Sequence, residues 1–351
     1  MKLLVISNMY PNKSNPYYGT FVEKTTRGLE SNGGEVTLAV ISSLEKNFFY
    51  KIINYLSLYC RVIFLLLSNR FDYVYIHFPS HTFLPVYMIS FILKVKLVIH
   101  FHGGDGLQQP GRSNFIHFIK NKINQKAIDL AAVIVLPSTS YLNQLNKEYI
   151  LDKLKIFISP SGGVSLKQFA YKKRFYSRHK LLFVGRMVDV KRPLFLARCL
   201  KQLLNNSEIK FKVTIVGSGP LENKLKENLS EYDFEFIPSV SQNELYDIYK
   251  EHDMLIQTSS SESLGLVPLE FMATGGIPIC SFIPAFSEYI DDGVNGYLFQ
   301  SELEFANKVA IFFGLDEVTR NAMSGSACKT VELTYESQIV AEKLYCELKK
   351  K

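Results

Sequence analysis

The stretch Ser259–Ile279, SSSESLGLVPLEFMATGGIPI, carries two glutamates, Glu262 and Glu270, on either side of Pro268. Two carboxylates flanking one glycosidic bond would stand about 5–5.5 Å apart. A helix running through both would separate them by about 12 Å along its axis. Proline is best tolerated in a first helical turn, so the spacing predicts a helix over 268–274. Gly275–Gly276 closes it, Glu270 falls in its first turn, and Glu262 lies in the loop before it. The pair reads either as two acceptors gripping different ends of one long ligand or as a capping acid beside a surface acid.

Apolar runs flank this segment: MLIQT (254–258) before it and IPICS (277–281) after it. Strand, loop, helix, strand is the repeating unit of a parallel sheet. The same alternation extends outward. Strands are expected at 180–185, 212–217, 234–238 and 297–299, with helices near 193–205, 220–229 and 242–250. Before the basic, linker-like stretch YKKRFYSRHK (171–180), runs at 2–7, 35–40, 73–78, 97–101, 131–137 and 155–160 form a second series, with a helix at 20–31. The fold class is therefore α/β, with two Rossmann-like doubly wound parallel-sheet domains. Residues 1–170 are expected to form the first and 171–330 the second. The stretch 329–351 reads as a closing helix, and residues 331–351 are expected to pack back toward the first domain.

A chain of 351 residues with 47% hydrophobic and 21% charged residues fits two ordinary globular domains. The five scattered cysteines lack metal-ligand or disulfide-framework spacing, which points to a reducing, cytoplasmic setting. MKLLVISNMYP reads as a buried first strand rather than a signal peptide. Residues 1–180 hold 23 basic against 9 acidic residues, whereas residues 181–351 hold 17 against 24. A basic half attracts phosphates or anionic headgroups. Lys51–Arg70, apolar and aromatic with basic ends, suits a helix at a membrane interface or a core helix whose cations snorkel. The balance of the whole half tips the reading toward weak membrane attachment. No recognisable nucleic-acid-binding module accompanies the cations.

Open parallel sheets bind ligands at the carboxyl ends of their strands. Four such ends carry unusual residues. The first strand leads to YPNKSNPYYGTF with Gly19; the strand at 97–101 runs into HGGDG from His102. The strand at 180–185 runs into GRMVDVKRP with Arg186 and Lys191, and that at 254–258 into SSSESLG with Glu262. The simplest geometry is a cleft with both sets turned inward. Two cations after one strand, beside glycine-containing backbone and a helix start, suit a diphosphate. VGSGPLE (216–222) has Glu222 where a dinucleotide fingerprint needs glycine, so it reads as a tight turn near a nucleotide.

In their order, GRMVDVKRP, VTIVGSGPLENKL, the long segment from FIPSVSQNELYD to Ile279, and GVNGYLF resemble retaining glycosyltransferases of family 4. YPNKSNPYYGTFV and HFHGGD fit the same family. The resemblance implies the B-type glycosyltransferase fold. It implies that Arg186 and Lys191 hold a donor diphosphate, that Glu262 binds hydroxyls of the donor sugar, and that Glu270 binds the ribose. The amides of Leu264, Gly265, Leu266 and Val267 would meet sugar or phosphate, His102 would touch the donor sugar, and Gly19 would lie near donor and acceptor. It implies a nucleotide-sugar substrate with no metal or other cofactor. Fixed cations and helix amides would stabilise the leaving diphosphate. Ser263 and Leu264 stand where the family usually has Gly-Phe, so the donor is open, with a UDP-sugar the default and a GDP-sugar the other choice. The expected acceptor is a lipid-linked saccharide, the expected place the inner membrane face, and the expected role bacterial surface polysaccharide assembly. The alternatives are a B-fold epimerase, an inverting transferase, or a non-catalytic binding subunit.

Overall fold

The computed structural model describes residues 1–351 except 16–17, 46, 93–94, 109–112, 175, 177–178, 208 and 239. The chain divides into two units, Met1–Gly163 with Ser337–Lys351, and Val164–Glu336.

The first unit runs β1 (Lys2–Ser7), α1 (Thr20–Ser31), β2 (Glu35–Val40), α2 (Phe48–Ser68), β3 (Tyr73–His77), α3 (Pro79–Thr82), α4 (Leu84–Ile89), β4 (Lys96–His100), α5 (Asn114–Leu130), β5 (Ala131–Leu136), α6 (Thr139–Leu145) and β6 (Ile156–Ile158). Its six strands lie in the order β2-β1-β3-β4-β5-β6, and every pairing is parallel. The strands read as continuous apolar runs because both faces of the sheet are covered. Leu4, Ile6, Val74 and Ile76 pack on one side with Leu58, Val62 and Leu66 of α2 and Ala127 and Ile128 of α5. Leu3, Val5, Tyr73 and Tyr75 pack on the other with Val22 and Leu29 of α1.

The second unit runs β7 (Lys180–Val184), α7 (Pro193–Asn206), β8 (Lys212–Val216), α8 (Glu222–Asn228), β9 (Phe234–Ile237), α9 (Gln242–Glu251), β10 (Met254–Gln257), α10 (Leu266–Ala273), β11 (Ile277–Ser281), β12 (Tyr297–Phe299), α11 (Glu302–Gly314) and α12 (Glu317–Thr330). Its order is β12-β11-β10-β7-β8-β9, again parallel throughout. Strand order reverses between β7 and β10, and in the first sheet between β1 and β3. Such switch points leave a crevice beyond the strands' carboxyl ends.

Three local readings change. The basic stretch 171–180 is not a free linker. Arg174 is buried: it donates to the Tyr249 and His252 carbonyls and to Thr274 Oγ1, and its guanidinium lies 4.8 Å from the Phe271 ring centroid. Those bonds tie the stretch into the second unit. The closing residues are not one helix. Val331–Tyr335 forms a π-turn after α12, and Glu336 is extended. The Val164 amide takes the Tyr335 carbonyl at 2.7 Å, which ends the helical ladder before α13 (Ser337–Lys350) begins. α13 counts with the first unit and lies against α1, where a Cβ on Gly28 would stand 2.6 Å from that of Ala341. Finally, α10 opens at Leu266, so Pro268 is its third residue and Glu270 its fifth, beyond the first turn.

Candidate active site

In the second unit, Arg186 and Lys191 follow β7 and Glu262 follows β10, on either side of the switch point. The loops are laced together. Thr258 Oγ1 donates to the Lys191 carbonyl at 2.7 Å, Arg192 Nε to the Thr258 carbonyl at 2.8 Å, and the Ser260 amide to the Val190 carbonyl at 2.8 Å. This brings Lys191 Nζ to 2.5 Å from Glu262 Oε1, with 16% of each side chain exposed. Ser259 Oγ donates to the same oxygen at 2.7 Å. The cation expected on the diphosphate and the acid expected on the sugar thus form one ion pair. Arg186 is exposed, and among the described residues its side chain has no hydrogen-bond or ion-pair partner.

Glu262 and α10 are joined by a turn that only glycine fits well. Gly265 has φ +85°, and a Cβ there would stand 2.5 Å from Phe286 Cε1. Tyr289 holds the turn by donating to the Gly265 carbonyl at 2.9 Å. Leu264 is buried as its anchor. The amides of Leu266 and Val267 open α10, where helix N–H groups lack partners of their own and the dipole is positive. Glu270 is 6% exposed and accepts from the Tyr249 hydroxyl at 3.3 Å. The VGSG turn after β8 lies on the β7 loop: a Cβ on Gly217 would stand 2.1 Å from the Gly185 carbonyl oxygen. That backbone contact requires glycine and keeps the turn beside Arg186.

In the first unit, His102 follows β4. Its amide and that of Gly103 donate to Asp105 Oδ1 at 3.0 and 2.9 Å, folding the HGGD loop around the carboxylate. Tyr141 donates to the Gly103 carbonyl and Asn124 to the Asp105 carbonyl. Burial pushes Asp105 up to about 6, against the amide bonds that lower it. His102 Nε2 shares a 2.7 Å hydrogen bond with His77 Nδ1, and His100 Nδ1 one of 3.0 Å with Tyr75. Burial holds all three imidazoles below their ordinary value, His77 at about 3, and His102 further through its histidine neighbours. They are neutral at physiological pH.

His77, His100 and His102 each offer a ring nitrogen within 4.8 Å of the others. Tetrahedral zinc would draw such atoms to roughly 3.3 Å. The His77 and His102 rings are stacked at 13° and hydrogen-bonded to each other, whereas His77 Nε2, His100 Nε2 and His102 Nδ1 are buried with no hydrogen-bond partner among the described residues, so the trio is a layer of neutral imidazoles. Gly19 caps α1 with φ +79°, and a Cβ there would stand 2.8 Å from the Met9 carbonyl, so the first loop folds back on itself. Pro16 and Tyr17 of that loop lie outside the described residues.

Sequence reasoning missed His77, Asp105, Thr258, Ser259 and Tyr289. His77 ends β3 and Asp105 lies three residues past His102, so strand ends and loop spacing carried a signal for both. For Ser259, Thr258 and Tyr289 the signal is tertiary.

Two parallel doubly wound sheets of this kind are the B-type glycosyltransferase fold. Residues 167–327 match the family described as Glycosyl transferases group 1. Anabaena HepE, solved with UDP and glucose, superposes with TM-score 0.77 at 14% identity over all of both chains. Sucrose-phosphate synthase from Thermosynechococcus elongatus gives 0.79 at 13%, covering 100% of this chain and 98% of that one. Among curated proteins, a D-inositol 3-phosphate glycosyltransferase of Paenarthrobacter aurescens is 28% identical over 50% of this chain and 46% of its own. An alpha-monoglucosyldiacylglycerol synthase of Streptococcus pneumoniae is 24% identical over 63% of this chain and 46% of its own. The chain spans about half the length of such relatives. The matches, to the family and to these relatives, are all to glycosyltransferases.

Proposed function

We propose that the protein is a retaining glycosyltransferase of family 4, moving a sugar from a nucleotide-sugar donor to a lipid-linked saccharide in bacterial surface polysaccharide assembly. The observation that carries this is the Lys191–Glu262 pair, set at the β7/β10 switch point beside the start of α10. An anion arriving there meets Lys191, the exposed Arg186 and the α10 amides together. These groups oppose the charge that grows on a departing diphosphate without needing a metal ion. Glu262, steadied by Ser259, presents its carboxylate to donor-sugar hydroxyls, and Glu270 with Tyr249 meets the ribose. In the first unit, neutral His102 has its Nε2 held by His77 and would meet a sugar hydroxyl through Nδ1 once that buried nitrogen is uncovered, and Gly19 lets the first loop lie close to donor and acceptor.

A UDP-sugar is the favoured donor because HepE and two other structural neighbours, TarM and pneumococcal GtfA, were solved with UDP. A relative named for a diacylglycerol glycolipid supports a lipid acceptor, and the excess of basic residues in 1–180 supports a peripheral position on the inner membrane face. The test is thermal stabilisation by UDP and GDP with and without magnesium, followed by turnover of a nucleotide-sugar panel on membrane extracts. UDP-dependent stabilisation without magnesium and sugar transfer into the lipid fraction are expected. No stabilisation by any nucleoside diphosphate would overturn the reading.

A further inference from the structure

The flank of the first unit that holds α2, α4 and α5 is apolar on its outside as well as its inside. α2 is 21 residues long, is apolar enough by length and composition to cross a membrane, and buries only Leu58, Val62 and Leu66. Those three share a core with Val86 and Ile89 of α4 and Ala127 and Ile128 of α5, so the three helices cover the same face of the sheet. Phe49, Phe64 and Leu67 of α2, Phe91 just past α4, and Phe115 and Phe118 of α5 all point to solvent, Phe64 at 67% and Phe91 at 80% exposure. Single exposed apolar residues need no explanation, but a run of this kind across adjoining helices marks a contact surface.

Charge says what the contact is. From residue 46 to residue 130, the end of α5, the sequence holds ten lysines and arginines and three acids, Asp72, Asp105 and Asp129. Asp105 is buried in the HGGD loop. Lys51, Arg61, Lys122 and Lys126 lie exposed among the aromatic and aliphatic side chains. Two copies of this face would bring like charges together. An anionic bilayer offers the opposite charge and an apolar interior at once.

Where the helices meet, Leu66, Val86, Ile89, Leu97, Leu130 and Lys126 line a cavity of about 200 Å³. That is below the range of about 300–1,000 Å³ typical of ligand pockets, so it has room for part of a ligand only, and a lining that is apolar or aromatic apart from Ser90 and Lys126 suits hydrocarbon. Lys126 stands at its rim, with Nζ 5.9 Å from the Tyr87 ring centroid. The cavity adjoins the start of β4, whereas His102 follows that strand's other end. A chain lodged there is therefore separate from the group that reacts.

We propose that α2, α4 and α5 form a bilayer-docking face whose cavity takes an acyl chain of an anionic phospholipid, with Lys126 beside its phosphate. This gives the proposed membrane position a surface, and it rests on that reading only for what the docking serves. The test is co-sedimentation of the full chain with vesicles of phosphatidylcholine alone or mixed equally with phosphatidylglycerol. Binding is expected with the mixed vesicles only, with release in 1 M salt, where the screening length falls to about 3 Å. The pair Phe64→Glu/Leu67→Glu and the pair Lys122→Glu/Lys126→Glu should each lower partitioning by about tenfold or more with circular dichroism unchanged. Val86→Phe, which fills the cavity without altering charge, should lower it several-fold. Equal binding to neutral vesicles, or a dimer that Phe64→Glu/Leu67→Glu dissolves in a protein that ignores vesicles, overturns the face. Undiminished partitioning of Val86→Phe overturns the acyl-chain slot. UDP stabilisation is read on every variant: its absence alongside intact vesicle binding removes the donor reading and leaves the face.

Discussion

Lys191 and Glu262 neutralise each other at 2.5 Å where both are mostly shielded from water. Removing one partner leaves the other with an unmatched charge or an unmatched acceptor. Glu262→Gln and Lys191→Ala are each expected to cut transfer by about 10²–10³-fold, the loss typical for one fixed group in a charge-stabilising site. The expected fold, checked by circular dichroism, is unchanged. Full activity in either purified variant would remove the pair from the mechanism. Gly265→Ala acts differently. It forces a left-handed backbone on a residue with a Cβ and drives that Cβ toward the Phe286 ring. A loss of about 1–3 kcal/mol is expected in urea unfolding, with donor stabilisation weakened because the start of α10 shifts.

At the scale of elements, the neutral histidine layer links β3, β4 and the HGGD loop to pH. His77 is held at about 3 and His252, hydrogen-bonded to Thr214 in the second unit, at about 4, both by burial. The unfolded chain binds protons on these imidazoles near pH 6.5 while the folded chain does not, so stability is lost as pH falls below 6.5. At pH 5 the loss from His77 alone is about 2 kcal/mol. Asp105 has the opposite sign: raised to about 6, it favours the folded state more as pH falls from 6 toward 4. Four depressed imidazoles outweigh one raised carboxyl, so urea midpoints are expected to drop between pH 7 and pH 5. A rising midpoint would mean the layer is charged in the folded protein. The elements themselves were largely legible in the sequence. β1, α1, β2, β11 and β12 match the expected runs because continuous apolar strands between glycine and asparagine turns admit little else. α10 began two residues early because Gly265, and not Pro268, sets its start. The π-turn at Val331–Tyr335 had no local signal, since its cause is a hydrogen bond to Val164, distant in sequence. The candidate residues Arg186, Lys191, Glu262 and His102 could be named in the sequence as charged and polar groups just past strands, which is where the structure puts them, while His77, Asp105, Thr258, Ser259 and Tyr289 were not. The joining of Lys191 to Glu262 was not legible, because it depends on Thr258 and Ser260 binding backbone of another loop.

At the scale of the whole molecule, a ligand that binds only the folded chain raises its unfolding free energy by about 2.7 kcal/mol at a hundred times its dissociation constant. A UDP titration of the melting temperature is therefore expected to rise with the logarithm of concentration and to flatten in Lys191→Ala. The return of α13 to the first unit carries another consequence. Leu344, Tyr345 and Leu348 fill one side of the sheet whose first strand begins at Lys2, and Tyr73 donates to the Leu348 carbonyl. A nascent chain emerging from the ribosome therefore holds that side covered only in part, by α1, while all of Val164–Glu336 is made. The later-made half can finish folding before the earlier one, reversing the usual order of synthesis.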